Sequence, residues 1–218
     1  MLRMQDARVL IGAVEALRGF SLEVPDGAMI GLSGRNGAGK TTVMRAIMGL
    51  VKLRAGQITF DGTDLAAVPI HGRAALGIGY MPEDRGLVPE LTVEENILLP
   101  AWVIKSLDGK ARLDLVYDIM PELKPMAGRK ALQLSGGQQK LAALGRALVA
   151  GTRLLLLDEP FEGVAPALSQ RLAEVIATFE QQNLSVLLSQ SELNHAFRLF
   201  DADYVIERGQ NVARPKAA

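Results

Sequence analysis

Nine consecutive residues, Gly34-Arg35-Asn36-Gly37-Ala38-Gly39-Lys40-Thr41-Thr42, constrain this chain more than any other stretch. Gly34, Gly39, Lys40 and Thr41 satisfy the pattern G-x-x-x-x-G-K-[ST]. Glycines at that spacing let the backbone curl so that successive N–H groups point inward at anionic oxygens. A lysine brings a compact positive charge to β- and γ-phosphates, and the hydroxyl that follows it suits Mg²⁺. The flanks agree with this reading. Ala28-Met29-Ile30-Gly31-Leu32-Ser33 reads as a buried strand, and Thr42-Val43-Met44-Arg45-Ala46-Ile47-Met48 has helical spacing. A helix starting near Gly39 adds the positive end of its dipole. The stretch predicts a nucleotide triphosphate site formed by residues 34 to 42.

Composition narrows the partners. A chain of 218 residues, 49% apolar and 22% charged, suits one globular unit with a substantial core. Lys+Arg and Asp+Glu both total 24, and this zero formal charge argues against a nucleic-acid surface or a polybasic membrane anchor. The absence of cysteine excludes disulfides and thiolate metal sites, and two histidines are too few for a histidine-rich one. Met1 to Asp6 lack the apolar core of a secretory signal. Leu141 to Leu157, the richest apolar stretch, is interrupted by Arg146, Gly151 and Arg153, so any membrane role is expected through a partner.

Before the phosphate loop the chain reads as short strands, Phe20 to Val24 among them, with a Pro25-Asp26-Gly27 turn. Gly56 to Gly62 alternates and ends in an Asp-Gly turn, giving an antiparallel flank. A short helix near Ile70 to Ala75 leads to a buried strand at Gly77 to Met81. From Pro82 to Gly151 the pattern is helical. Thr92 with Glu95 makes a capping box, and Ala111 to Met120 and Gly137 to Ala150 are amphipathic. Strand–helix alternation then resumes with Leu154 to Leu157, Leu168 to Gln182, Ser185 to Leu188, Glu192 to Phe200 and Tyr204 to Ile206. The expected organisation is one domain over 1–218, a core with β flank at about 1–82 and 152–218 and a helical subdomain at about 83–151.

Two further motifs carry chemistry. Leu154-Leu155-Leu156-Leu157-Asp158-Glu159 is an apolar run ending in two carboxylates, as expected of a central parallel strand with ligand groups at its carboxyl end. Asp158 is placed to hold Mg²⁺ through a water, and Glu159 to polarise the attacking water. Leu134-Ser135-Gly136-Gly137-Gln138-Gln139-Lys140 opens the long helix with a good cap residue and a second anion-binding N-terminus. One nucleotide needs only one such surface per subunit, and the redundancy points to sandwiching between two copies.

These three motifs, in this order and spacing, resemble the ATP-binding subunits of ABC transporters, and the resemblance covers essentially the whole chain. Gly79-Tyr80-Met81-Pro82-Glu83, Pro89 to Asn96 and Gly163-Val164-Ala165-Pro166 are similar to the branched-chain amino acid importer group. The resemblance implies an α/β fold, a P-loop NTPase ABC-type nucleotide-binding domain with an antiparallel β flank and an inserted helical subdomain. It implies ATP and Mg²⁺ as cofactors, with Lys40 and Glu159 catalytic and Thr41, Asp158 and Glu83 near the metal. It implies a homodimer, or a heterodimer with another ABC ATPase subunit, in which Ser135, Gly136, Gly137 and Gln138 of one subunit reach the ATP of the other. Transmembrane permease subunits, an indirect solute-binding protein, no nucleic acid and a cytoplasmic position on the inner face of the membrane follow in the same way.

Three positions depart from the common family pattern. Glu83 stands where glutamine is usual, Ser191 where a switch histidine is usual, and Ile11 where an adenine-stacking aromatic is usual. His195 lies one helical turn after Ser191, and His71 precedes Gly72-Arg73; both read as bland. Two rival readings follow: a non-transport ABC ATPase acting on ribosomes or DNA, disfavoured by one short neutral cassette, and a weakly hydrolysing regulatory nucleotide-binding module, disfavoured by intact Lys40, Asp158 and Glu159.

Overall fold

The computed structural model describes residues 1–191 and 200–212. Strands β1 (Leu2–Ile11) and β2 (Val14–Val24) form a hairpin across Gly12-Ala13. β3 (Met29–Ser33) runs into the phosphate-binding stretch, which ends in α1 (Lys40–Met48). β4 (Leu53–Phe60) and the two-residue β5 (Thr63–Asp64) complete a four-stranded antiparallel sheet of order β2-β1-β4-β5. The short α2 (Ile70–Arg73) and a 3-10 turn lead into β6 (Ile78–Met81). Then follow α3 (Val93–Val103), α4 (Gly109–Ile119) and α5 (Gly136–Ala150). β7 (Leu154–Asp158), α6 (Pro166–Gln181), β8 (Ser185–Gln190), β9 (Ala202–Glu207) and β10 (Gln210–Val212) close the chain.

The second sheet has the order β10-β9-β3-β8-β7-β6, parallel except for β10. Every residue of β3, β7 and β8 is buried. Strict side-chain alternation divides these strands between two cores. Leu154, Leu156 and Leu187 pack with α1 and the antiparallel sheet, alongside Phe20, Phe60 and Ile47. Leu155, Leu157 and Leu188 pack on the other face against Ile97, Leu148 and Phe179 of the helices. Both faces of β7 are covered, so an unbroken leucine run is what the position demands; each such side chain contributes about 1.5–3 kcal/mol on burial.

Helix ends are capped as their sequences specify. Thr92 and Glu95 form a capping box at α3, and Ser135 and Gln138 form one at α5. The carboxyl end of α1 is closed by Gly49 and by the buried Arg73, whose guanidinium donates to the carbonyls of Ala46 and Ile47. Between β6 and β7 the described residues form helices and turns, with one isolated bridge, Thr92 to Lys130.

The amino-terminal strands are longer than their sequence suggests. Asp6 adopts φ 46° and the pairing of β1 with β2 shifts register between Met4 and Ala7. The bulge breaks the period-two pattern that would have marked the strand. β10 was equally hidden, because its three residues are exposed and carry no apolar alternation. The helix expected at Glu192 to Phe200, with His195, lies largely outside the described residues.

Candidate functional site

The phosphate-binding stretch leaves the carboxyl end of β3 at the centre of the parallel sheet. Its path requires glycine at two points. A Cβ at position 34 would lie 2.4 Å from the Ile206 carbonyl oxygen, and Gly39 has φ 118°, a conformation L side chains rarely adopt. The Gly34 N–H donates to the Gln190 carbonyl (3.2 Å) and the Gly209 N–H to the Ala38 carbonyl (2.9 Å), fastening the loop to neighbouring strands. Lys40, the first residue of α1, is buried and lies back across the loop. Its ammonium donates to the carbonyls of Gly34 (2.6 Å) and Arg35 (3.1 Å) and pairs with Glu159 at 3.1 Å.

β7 delivers the two carboxylates. Asp158 is fully buried and its Oδ1 accepts from Ser189 Oγ (2.7 Å) and Thr41 Oγ1 (3.3 Å), while Oδ2 accepts from Tyr80 (3.4 Å). Burial pushes the Asp158 carboxyl above the usual range, and the neighbouring Glu159 charge adds to this; the hydrogen bonds from Ser189, Thr41 and Tyr80 oppose it. Burial also raises the Tyr80 phenol, with the Asp158 charge contributing next. Tyr80 therefore stays a protonated donor toward that carboxylate.

Glu159 has a left-handed backbone, φ 50°, uncommon for a residue with a Cβ. Its N–H donates to Ser189 Oγ (3.0 Å). Its carboxylate accepts from the Ser191 N–H (3.0 Å), from the Ser191 hydroxyl and from Lys40. Ser191 Oγ also meets the Asn36 amide oxygen. Ser191, expected at the switch position, thus touches the second carboxylate directly.

A cavity of about 320 Å³ joins these groups, with Asn36, Gly37, Lys40, Thr41, Glu83 and Glu159 on its wall. A second cavity, about 230 Å³, is lined by Asn36, Glu159, Glu162, Gln190 and Ser191. Of the residues expected at the nucleotide, Gly39 and Thr42 also line the first cavity, while Ala38 is buried in the loop. Ile11 is exposed at the end of β1, outside that wall, and Arg35 contributes a carbonyl to Lys40. Ser135 and Gly136 are exposed at the start of α5 and, with Gly137 and Gln138, lie outside both cavities. Their outward position is what contact with a second copy would need.

Ser189 and the Tyr80 contact were missed from sequence. The available signal was a serine inside the apolar run of β8, Val186-Leu187-Leu188-Ser189, where a buried hydroxyl must find a partner. No group of three or more His, Cys, Asp or Glu capable of holding a metal occurs among the described residues. Any metal here would rely on the hydroxyl of Thr41, on Asp158 bonded to it, on Glu83 of the same cavity wall and on the ligand's own oxygens. Hard oxygen donors of this kind suit Mg²⁺, which commonly takes only one or two protein ligands beside phosphates and water.

Comparison with known proteins fits this geometry. The family described as ABC transporter matches residues 17–162. The branched-chain amino acid transport ATP-binding protein BraG of Pseudomonas aeruginosa is 34% identical over the whole chain and 94% of BraG. The lipopolysaccharide export ATP-binding protein LptB of Haemophilus influenzae is 33% identical over 88% of the chain and 81% of LptB. The ADP conformation of MJ1267, an ATP-binding cassette of an ABC transporter, superposes with a TM-score of 0.84 at 27% identity, covering 98% of this chain and 89% of that one. The dimeric cassette MJ0796 shares the fold at TM-score 0.87 and 21% identity, over 98% and 97% of the two chains. With a phosphate loop, a buried lysine and Glu159 around one cavity, and Asp158 bonded to Thr41 behind it, the chain belongs to the ABC transporter family as an ATP-binding and ATP-hydrolysing subunit.

Proposed function

We propose that this chain hydrolyses ATP within a two-copy sandwich and thereby drives import of branched-chain amino acids, or a related small polar solute, through transmembrane permease subunits. The observation that carries the hydrolytic part is the convergence of Lys40, Thr41 and Glu159 on one cavity, with Asp158 bonded to Thr41 behind them. The residue roles follow from that arrangement. Lys40 and the loop N–H groups bind the β- and γ-phosphates, and charge developing on the γ-phosphoryl group meets the ammonium. Glu159 accepts a proton from water as the water oxygen bonds to the γ-phosphorus and the bond to the bridging oxygen breaks, releasing ADP. Thr41 and Asp158, with Glu83 on the same cavity wall, would hold Mg²⁺, which when bound neutralises phosphate charge. Ser135 to Gln138 of a second copy would close the other side of the nucleotide.

The cargo reading draws on the full-length likeness to BraG, against which LptB, named for lipopolysaccharide export, is the competing relative. The loop after β6 is the surface favoured for docking on the membrane partner. Arg85 donates to the Gln139 side chain of α5 at 2.7 Å, and Arg146 of α5 donates to the carbonyls of Gly86 (2.6 Å) and Arg85 (2.7 Å). Movement of that loop would therefore be felt by the helix that carries Ser135. Among the described residues no helix is long and apolar enough to cross a membrane. The transporter ATP-binding relatives support a peripheral position on the inner face. Copurification with native membrane proteins should recover a permease whose reconstituted transport of leucine, isoleucine or valine stimulates ATP hydrolysis. Recovery of a lipid-export permease instead would overturn the cargo assignment.

Two further results are expected. Burial raises Asp158 in the folded state, so the carboxyl's contribution to stability is full below the unfolded pKa and lost as pH rises through the folded one. A bound cation favours the ionised form and reverses that loss. The rise in melting temperature given by Mg²⁺-ATP over ATP alone should therefore shrink on acidification at a higher pH than an ordinary aspartate would dictate. Asp158→Asn should remove the Mg²⁺-dependent increment at every pH, and an undiminished increment would exclude Asp158 from the metal site. At the base-binding end, Ile11→Tyr should tighten ATP binding by about 0.5–1.5 kcal/mol through ring stacking and improve its ratio to GTP. Equal affinities before and after substitution would remove Ile11 from the adenine site.

A further inference from the structure

Lys140 is a buried cation outside the phosphate site, and its hydrogen-bond partners are all backbone. It lies on α5 beyond the Ser135 cap and is 3% exposed. Its ammonium donates to the carbonyls of Glu159 (2.9 Å), Pro160 (3.1 Å) and Glu162. An ammonium has three N–H donors, and here each has an oxygen. A buried charge whose hydrogen bonds all go to carbonyls, with the carboxylates of Glu162, Glu159 and Glu83 near enough to attract it, is a structure the fold maintains at a cost, since a neutral apolar side chain would avoid the desolvation. What it holds is the turn that begins at Glu159.

That turn has an unusual shape. Glu159 has φ 50°, and the Glu162 N–H returns to the Glu159 carbonyl at 3.2 Å. A residue with a Cβ stays in the left-handed region only where its surroundings over-determine it. Both backbone polar groups of Glu159 are tied: its N–H by Ser189 and its carbonyl by Lys140. The fixed backbone sets the Cα–Cβ direction, and the Ser191 N–H and Lys40 hold the carboxylate at the end of the side chain. The same helix is packed closely against the next helix, for a Cβ on Gly137 would lie 2.4 Å from Leu168 of α6. The opening turn of α5, which carries Ser135 to Gln138, cannot shift far without moving Lys140 and the carbonyls it holds.

We infer that Lys140 is a positioning residue for ATP hydrolysis, locking Glu159 in its left-handed conformation and coupling it to the helix start that meets the partner's nucleotide. The inference rests on the reading of Glu159 as the base. Lys140 lines neither cavity and its N–H groups meet the carbonyls of the Glu159 turn, so it acts on the reaction through Glu159 and not on the phosphates. Its loss should consequently change the rate of the chemical step and leave ATP binding nearly intact.

The test is steady-state hydrolysis by the full chain, with kcat expressed per ATP-binding site, for the wild type, Lys140→Arg, Lys140→Gln, Lys140→Met and Glu159→Gln. Lys140→Met is expected to lower kcat by about 10–100-fold, the range produced by small misplacements of a catalytic group, with KM and Mg²⁺-ATP affinity within about 3-fold. Lys140→Arg, which keeps charge and several donors, should recover most of that loss, and Lys140→Gln, with two donors, should fall between. Should the methionine variant fail to fold, the arginine and glutamine pair decides. An undiminished kcat in the neutral variants, or parallel changes in kcat and KM, would overturn the inference. Glu159→Gln separates the two failures. If it still hydrolyses ATP, the reading of the base has failed; if it is inactive while Lys140→Met and Lys140→Gln turn over normally, only the Lys140 inference has.

Discussion

A Glu159→Gln protein is expected to bind ATP with near-normal affinity, hydrolyse it about 10²–10⁴-fold more slowly, and accumulate as a closed dimer in Mg²⁺-ATP. The substitution is nearly isosteric. A glutamine carbonyl can still accept from the Ser191 N–H or from Lys40, both of which now contact the carboxylate at 3.0–3.1 Å. The fold around the turn should survive, since Lys140 and Ser189 hold only its backbone. What is lost is the ability to take a proton from water. Size-exclusion chromatography with and without ATP, beside a phosphate-release assay, reads both effects. Turnover within about 3-fold of wild type would remove Glu159 from the base role, because general-base catalysis contributes far more than that.

Lys40→Ala should act at an earlier stage. Charge-assisted hydrogen bonds of the kind an ammonium makes to phosphate are worth about 1.5–3 kcal/mol each, so ATP affinity should fall by roughly 10–150-fold for one such bond. Residual turnover should drop further as transition-state charge goes uncompensated. The apo protein should suffer as well. Lys40 and Glu159 are a buried pair, 5% and 7% exposed at their side chains, and breaking such a pair leaves an uncompensated charge at a cost of about 3–5 kcal/mol. Lys40→Ala with Glu159→Gln should accordingly be more stable than Lys40→Ala alone. Titration with a fluorescent ATP analogue and thermal melting check the two parts. Affinity within twofold of wild type would contradict the phosphate role, and an additive double variant would contradict the buried-pair account.

The motifs were legible in sequence because each is dictated by a local requirement. The phosphate loop needs glycine where φ is 118° at Gly39, and the β7 strand needs leucine on both faces because both are covered. Thr92 with Glu95 specified a capping box that the structure contains. Local logic failed where geometry interrupted it. The bulge at Asp6 concealed β1, and a three-residue exposed strand such as β10 has no pattern to detect.

The site divides along the same line. By itself the sequence determined that a triphosphate loop, an acidic pair and a second helix N-terminus coexist in one α/β chain, because spacing along a strand–loop–helix unit fixes what such residues can do. Only the tertiary structure decided how they are held. Ser189 reaches Asp158 from β8, Tyr80 from β6, Ser191 reaches Glu159 from beyond β8, and Lys140 grips the Glu159 turn from α5. These partners are 19 to 78 residues from the carboxylates they serve. Neighbouring strands and a packed helix bring them together, and no periodicity in a linear sequence records which strand lies beside which.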